Sequence, residues 1–146
     1  MNDKIYSKVL VSMQFIIIVV LLFINDFIFN HLISLFISAF GFLFGIYTLY
    51  FNRIGNFNIT PEIRENSKLI KNGTYKYIRY PMYLSVFLMM GGVVLTNINV
   101  INILCYISLI IVLYLKASKE EKLWSGKLEE YKQYKEHTKM FIPFIL

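Results

Sequence analysis

Residues 68–95 read KLIKNGTYKYIRYPMYLSVFLMMGGVVL. Two chemistries meet in this stretch. Up to Tyr83 it gathers Lys68, Lys71, Lys76, Arg79 and the tyrosines Tyr75, Tyr77, Tyr80 and Tyr83; from Leu84 onward it is almost wholly apolar. Pro81 stands at the join, where a helix can begin at no cost because a first-turn N–H has no intrahelical partner. Tyrosines and long basic side chains concentrate where a chain passes from water into lipid. The junction therefore reads as the mouth of a membrane-embedded helix.

The rest of the chain supports that reading. Of 146 residues, 57% are hydrophobic and 16% charged, against about 25% charged in an ordinary soluble domain. The 15 Lys and Arg fall in three places: two in MNDKIYSK, six from Arg53 to Arg79 and seven from Lys116 to Lys139. Between them, residues 5–24 carry one Lys, and residues 32–51, 81–95 and 98–115 carry no charge. A bilayer core about 30 Å thick takes roughly 17–25 helical residues. The first two segments fit easily, the fourth just fits, and the third fits if its tyrosine-rich mouth is partly embedded. An all-α, multi-pass fold of four transmembrane helices follows. The connections NDFIFNH and TNIN hold no Lys or Arg, so the positive-inside rule places both termini and the middle segment in the cytoplasm of a cell-membrane protein.

The same features exclude other classes. The first span has a basic start, but no small-residue cleavage pattern follows it, so it reads as an anchor rather than a signal peptide. Cys105 is the only cysteine, which rules out an intramolecular disulfide and reads as packing. His31 and His137 are far apart in the sequence and fall on opposite sides of the expected membrane, and no metal site is expected. The net charge of +6 lies beside the spans, where it suits anionic lipid heads better than nucleic acid.

The chain reads as a single membrane domain, 1–146, in two parts. Residues 1–51 form an apolar scaffold hairpin whose Ser12, Gln14, Ser34, Ser38 and Thr48 satisfy themselves on their own helix or across helices. The pair Gly41 and Gly45 (GFLFG) permits close helix approach. Residues 52–146 hold the chemistry. Thr60-Pro61-Glu62 looks like a helix start, and Asn72-Gly73 a tight turn. In the tail, Trp124, Leu128 and Tyr131 recur at helical spacing among lysines, the pattern of an amphipathic helix at the cytoplasmic surface. Ser125 and Gly126 weaken it locally, and the ending FIPFIL folds back onto the interface.

Two polar clusters remain on the cytoplasmic side: Tyr75 to Tyr83, and Lys116 to Glu121. As residue types alone they suit an aromatic belt and a solvated helix face with an i, i+4 pair between Lys116 and Glu120. Their order says more. The series GNFNI-TP, LI-x-NG-x-Y-x-Y-x-R-Y-P-M-Y, then a helical hairpin, EE-K-L, EY-x-x-Y and TKMFIP resembles the isoprenylcysteine carboxyl methyltransferase-like family of integral-membrane enzymes over roughly residues 55–144.

That resemblance implies S-adenosylmethionine as methyl donor, held between the last two spans and the tail. It places Leu69 and Ile70 in the wall of the cofactor pocket. Tyr75, Pro81 and Tyr83 fall at cofactor contacts, with Tyr80 and Met82 beside them. Glu120, with Glu121 next to it, holds the cofactor, Arg79 and Glu120 form the catalytic pair, and Lys116 faces the substrate. The residue types suit such a donor, with a carboxylate for hydroxyl or amino groups, cations for a carboxylate, and aromatic faces for adenine and a cationic sulfonium. Methyl transfer is an in-line displacement that needs alignment above all. Where the family carries His after its arginine this chain has Tyr80, and the Phe-Gly expected before the tail's EY is missing.

The expected activity is methyl transfer to a lipophilic acceptor drawn from the bilayer. A nicotinamide-dependent membrane reductase of the sterol-reductase type is one alternative, because it shares a related RHPxY arrangement. A non-enzymatic membrane partner, suggested by Tyr80, is another. The sequence leaves the acceptor and the oligomeric state open.

Overall fold

The computed structural model describes residues 3–25, 31–52, 59–61 and 68–142. They form five α-helices: α1 (Asp3–Ile24), α2 (Leu32–Asn52), α3 (Pro81–Val94), α4 (Val100–Lys127) and α5 (Glu129–His137), with a short 3₁₀ turn at Gly73–Lys76. Three of them, α1, α2 and α4, are long and apolar enough to cross a membrane. The sequence pattern suggested four, and the third segment is the correction. Helix α3 has 14 residues, about 21 Å at roughly 1.5 Å per residue, which falls short of a 30 Å core.

The shortness of α3 has a backbone cause. Tyr80 is non-helical (φ −122°, ψ 57°) with Pro81 immediately after it. The Tyr80 N–H donates to the Met140 carbonyl at 3.1 Å, and the Arg79 N–H to the Lys139 carbonyl at 2.8 Å. A residue before proline is steered away from the helical region, and an N–H committed to the tail cannot bond four residues back, so the helix does not run on toward Lys76. At the other end the Thr96 hydroxyl donates to the Val93 carbonyl at 2.7 Å, and the chain turns.

The helices pack as two antiparallel pairs, α2 on α3 and α1 on α4, joined mainly where α3 meets α4. Each helix of the expected N-terminal hairpin thus takes its main partner from the C-terminal part. Gly41 and Gly45 work as packing positions: a Cβ at Gly41 would come 3.0 Å from Leu88, and one at Gly45 3.0 Å from the Ser85 hydroxyl. Ser38 donates across the same seam to the Met89 carbonyl at 2.9 Å. Between α1 and α4 the amides of Asn25 and Asn102 exchange hydrogen bonds of 3.1 and 2.8 Å. At the opposite end of that pair, Lys119 donates to the Ser7 hydroxyl at 2.7 Å and to the Asp3 carbonyl at 2.5 Å. Leu21, Met90, Val93, Val94, Leu109 and Leu113 fill the space between the pairs.

The tail differs from the expected single amphipathic helix. Trp124 lies on α4, which runs through Ser125 and Gly126 to Lys127, and the break falls at Leu128 (φ −133°, ψ 119°). Tyr131 then sits on α5, and its ring stacks on Trp124 across the break (6.1 Å, 17°). The Asn72-Gly73 turn is present: Gly73 has φ +61°, which a side chain rarely tolerates. Of the expected helix start at Thr60-Pro61-Glu62, residue 62 lies outside the described residues, as do the last four positions of FIPFIL.

The glycines make the packing testable. A Cβ at Gly92 would meet the Ser34 carbonyl and the Ser38 N–H of α2 at 2.6 Å, whereas one at Gly126 meets nothing within 4 Å. Gly92→Ala should therefore lower stability by about 1–3 kcal/mol, and Gly126→Ala should raise it by up to roughly 0.5–1 kcal/mol. Thermal unfolding of both variants in detergent reads the contrast.

Candidate active site

Arg79 is set by the chain around it. Its side chain is only 8% exposed, and a guanidinium so placed requires oxygen partners. The tail supplies them. One terminal nitrogen donates to the Lys135 carbonyl at 3.1 Å and, more closely, to the Thr138 carbonyl. The other lies 3.7 Å from the Glu121 carboxylate, which also forms an ion pair with Lys135. Its Nε is buried without a hydrogen-bond partner among the described residues. Backbone bonds run alongside, including Lys139 N–H to the Tyr77 carbonyl at 3.1 Å, and Ile78 and Lys139 form a parallel bridge. Arg79 and Glu121 together fasten the tail over the start of α3.

One turn into α3, Tyr83 organises a second cluster. Its hydroxyl donates to the Glu120 carboxylate, its ring stacks on Tyr80 (5.6 Å, 5°), and the Lys116 ammonium lies 5.0 Å from its ring centre. Lys116 and Glu120, one turn apart on α4, thus converge on one tyrosine. The Tyr75 phenol is raised above the ordinary tyrosine value by burial first, then by the charges of Tyr134 and Glu120. The Tyr75 carbonyl accepts from the Tyr134 hydroxyl at 2.6 Å. Leu69 and Ile70 lie half-buried in the segment before the 3₁₀ turn, and Met82 is half-buried on α3.

Tyr80, in the place of the family's histidine, is buried and exchanges a hydrogen bond of 3.2 Å with the Tyr131 hydroxyl. Burial, then the neighbouring Tyr131 and Glu120, holds its pKa far above the ordinary value. Burial likewise pushes Tyr131 up to about 12. Both phenols are neutral at physiological pH, so neither is a base at rest.

Of the residues singled out from sequence, Tyr75, Tyr80, Tyr83, Lys116 and Glu120 share one neighbourhood at one end of the bundle. Arg79 pairs with Glu121 rather than with Glu120. Sequence reasoning placed Gln14 among the scaffold residues that satisfy themselves on their own helix or across helices, and it accepts from Lys116 of α4 at 2.6 Å; it gave no role to Thr138 and Lys135, which belong to the Arg79 clamp. Tyr134 stood only in the EY-x-x-Y part of the series behind the resemblance, and Tyr131 there and in the helical pattern of the tail.

A helical membrane bundle with a polar, aromatic cluster at one end defines the class: an integral-membrane protein with cationic, anionic and aromatic side chains buried or half-buried together at one end. The model of the isoprenylcysteine carboxyl methyltransferase family matches residues 37–125, and the chain belongs to that family. The match runs from within α2 to the last turn of α4. It begins earlier than the resemblance read from the motifs and stops before the EYKQY tail. A search of curated proteins finds no match.

The clamp gives two predictions. Arg79→Gln leaves Glu121 to Lys135 alone and should cost about 3 kcal/mol, in line with removing one partner of a buried pair; trypsin should then cut faster after Lys135 and Lys139. Tyr80→Phe removes one hydroxyl and leaves Tyr131 unpartnered, and should cost about 1 kcal/mol in thermal or denaturant unfolding.

Proposed function

We propose that this chain is an S-adenosylmethionine-dependent methyltransferase that acts on a lipophilic acceptor at the cytoplasmic face of the membrane. The observation that carries the reading is the convergence of Glu120, Lys116 and the rings of Tyr80 and Tyr83 at one end of the bundle in a chain of a methyltransferase family. The donor set suits such a cofactor. Glu120 offers an anion for hydroxyl or ammonium groups. Tyr75, Tyr80 and Tyr83 offer aromatic faces of the kind that attract cations. When bound, the cofactor supplies an electrophilic methyl group.

The residues of the chain then divide the work in three. Glu120 and Tyr83 hold and orient, Lys116 presents positive charge toward the acceptor, and the tail fastened by Arg79 and Glu121 keeps water from the site. Exclusion of water strengthens each electrostatic contact, and a fixed orientation lowers the entropic part of the barrier. Tyr80, neutral and bonded to Tyr131, serves binding and closure rather than proton transfer. The clustering of basic residues beside the spans favours a cytoplasmic site with both termini on that side. The exposed apolar faces of α1, α2 and α4 suit an acceptor that arrives through lipid.

Isothermal titration of the purified chain with S-adenosylhomocysteine tests the reading. Saturable binding at micromolar concentration is the expected result, weakened roughly 10- to 100-fold by Glu120→Gln through loss of charge-assisted hydrogen bonds. Absence of binding by folded protein, or binding of NADPH in its place, would overturn the assignment.

A further inference from the structure

We propose that Gln14, on α1, is a positioning residue of this site: its carbonyl oxygen holds the Lys116 ammonium beside Tyr83 and Glu120. The inference rests on the methyltransferase reading above and adds a residue from outside the segment that matches the family.

Lys116 is 2% exposed on a helix long and apolar enough to cross a membrane. An ammonium has three donors and no acceptor. Among the described residues its one hydrogen bond is to Gln14 Oε1, at 2.6 Å. Since an ammonium can only donate, the contact also fixes which way the Gln14 amide faces. A lysine head on a four-carbon stem ordinarily snorkels toward water, and the polar end of α4 lies within reach of such a movement. Glu120 is one turn further along that path, but its carboxylate is engaged by Tyr83 and forms no ion pair with Lys116. Gln14 is therefore what keeps the positive charge over the Tyr83 ring instead of at the helix end.

Gln14 can do this because α1 is pinned on both sides of it. Asn25 bonds to Asn102 beyond one end of the helix, and Ser7 and Asp3 bond to Lys119 near the other. The carbonyl is held by a helix with little freedom to slide. Gln14 is buried and, as polar side chains between membrane helices do, reaches across to α4. Helix α1 thus supplies a wall of the site.

Three measurements on the full chain in detergent separate this inference from the reading beneath it. Binding of S-adenosylhomocysteine by the wild-type chain tests the methyltransferase reading, and its absence overturns both. Labelling by a small acylating reagent, with Lys116 quantified by mass spectrometry, tests the contact: Gln14→Leu should raise Lys116 labelling about tenfold, and Gln14→Glu should restore protection, because a carboxylate oxygen can take the place of the amide oxygen as acceptor. Turnover with methyl-labelled S-adenosylmethionine and a lipid extract of the host membranes tests the role. Gln14→Leu should raise the half-saturating extract concentration about tenfold while S-adenosylhomocysteine affinity stays within about threefold, the signature of a lost acceptor-side interaction. Unchanged Lys116 labelling in Gln14→Leu overturns the inference while leaving the methyltransferase reading intact. So does an equal loss of cofactor affinity and acceptor saturation.

Discussion

A buried guanidinium has to be surrounded by oxygen, and in this chain the oxygens come from residues more than forty positions downstream. Arg79 takes the carbonyls of Lys135 and Thr138 and the carboxylate of Glu121. The backbone on either side of it pairs with Lys139 and Met140. That docking explains why α3 starts no earlier than Pro81, why it is too short to cross a membrane, and why the tyrosines before it stand at the end of the bundle rather than along a helix. Every other feature of the site is arranged around this closure.

The second constraint is the cost of burying charge. Lys116 and Glu120 project from α4 among apolar helices, and each is hydrogen-bonded to a neutral polar group rather than ion-paired with the other: Gln14 for the lysine, the Tyr83 hydroxyl for the glutamate. Neutral partners satisfy hydrogen-bonding capacity without cancelling the charges. A directly paired lysine and glutamate would form a closed unit, whereas a lysine held by an amide and a glutamate held by a phenol retain charge with which to meet a ligand. The stacked rings of Tyr80 and Tyr83 lie between the clamp and the charges, so the structural and chemical halves of the site share those two residues.

Small residues set how closely the helices can approach to make this possible. Gly41, Gly45 and Gly92 let α2 lie against α3 at backbone distance, in the manner of helix pairs in lipid, where packing rather than hydrophobicity drives association. The polar exchanges at the two ends of α1 and α4 fix those helices along their axes. The result is two rigid pairs with the site at one end.

Much of this was legible in the chain itself. Uncharged runs near the length of a bilayer, separated by basic segments, determine a helical membrane protein, because no other arrangement of so few charges satisfies lipid on one side and water on the other. The order of LI, NG, the tyrosine-flanked Arg79, Pro81 and the paired glutamates determined the family. Local composition could not say how many helices are long enough to span, since the length of α3 is set by hydrogen bonds to residues 139 and 140, far away in sequence. Nor could it say which glutamate Arg79 meets: Glu120 and Glu121 are adjacent letters, but successive helix positions point about 100° apart. Gln14 was visible, with Ser12, as a polar letter in an otherwise apolar run, with nothing nearby to show its purpose. Only the packing of α1 against α4 gives it a cation to hold, because a partner 102 residues away leaves no local trace.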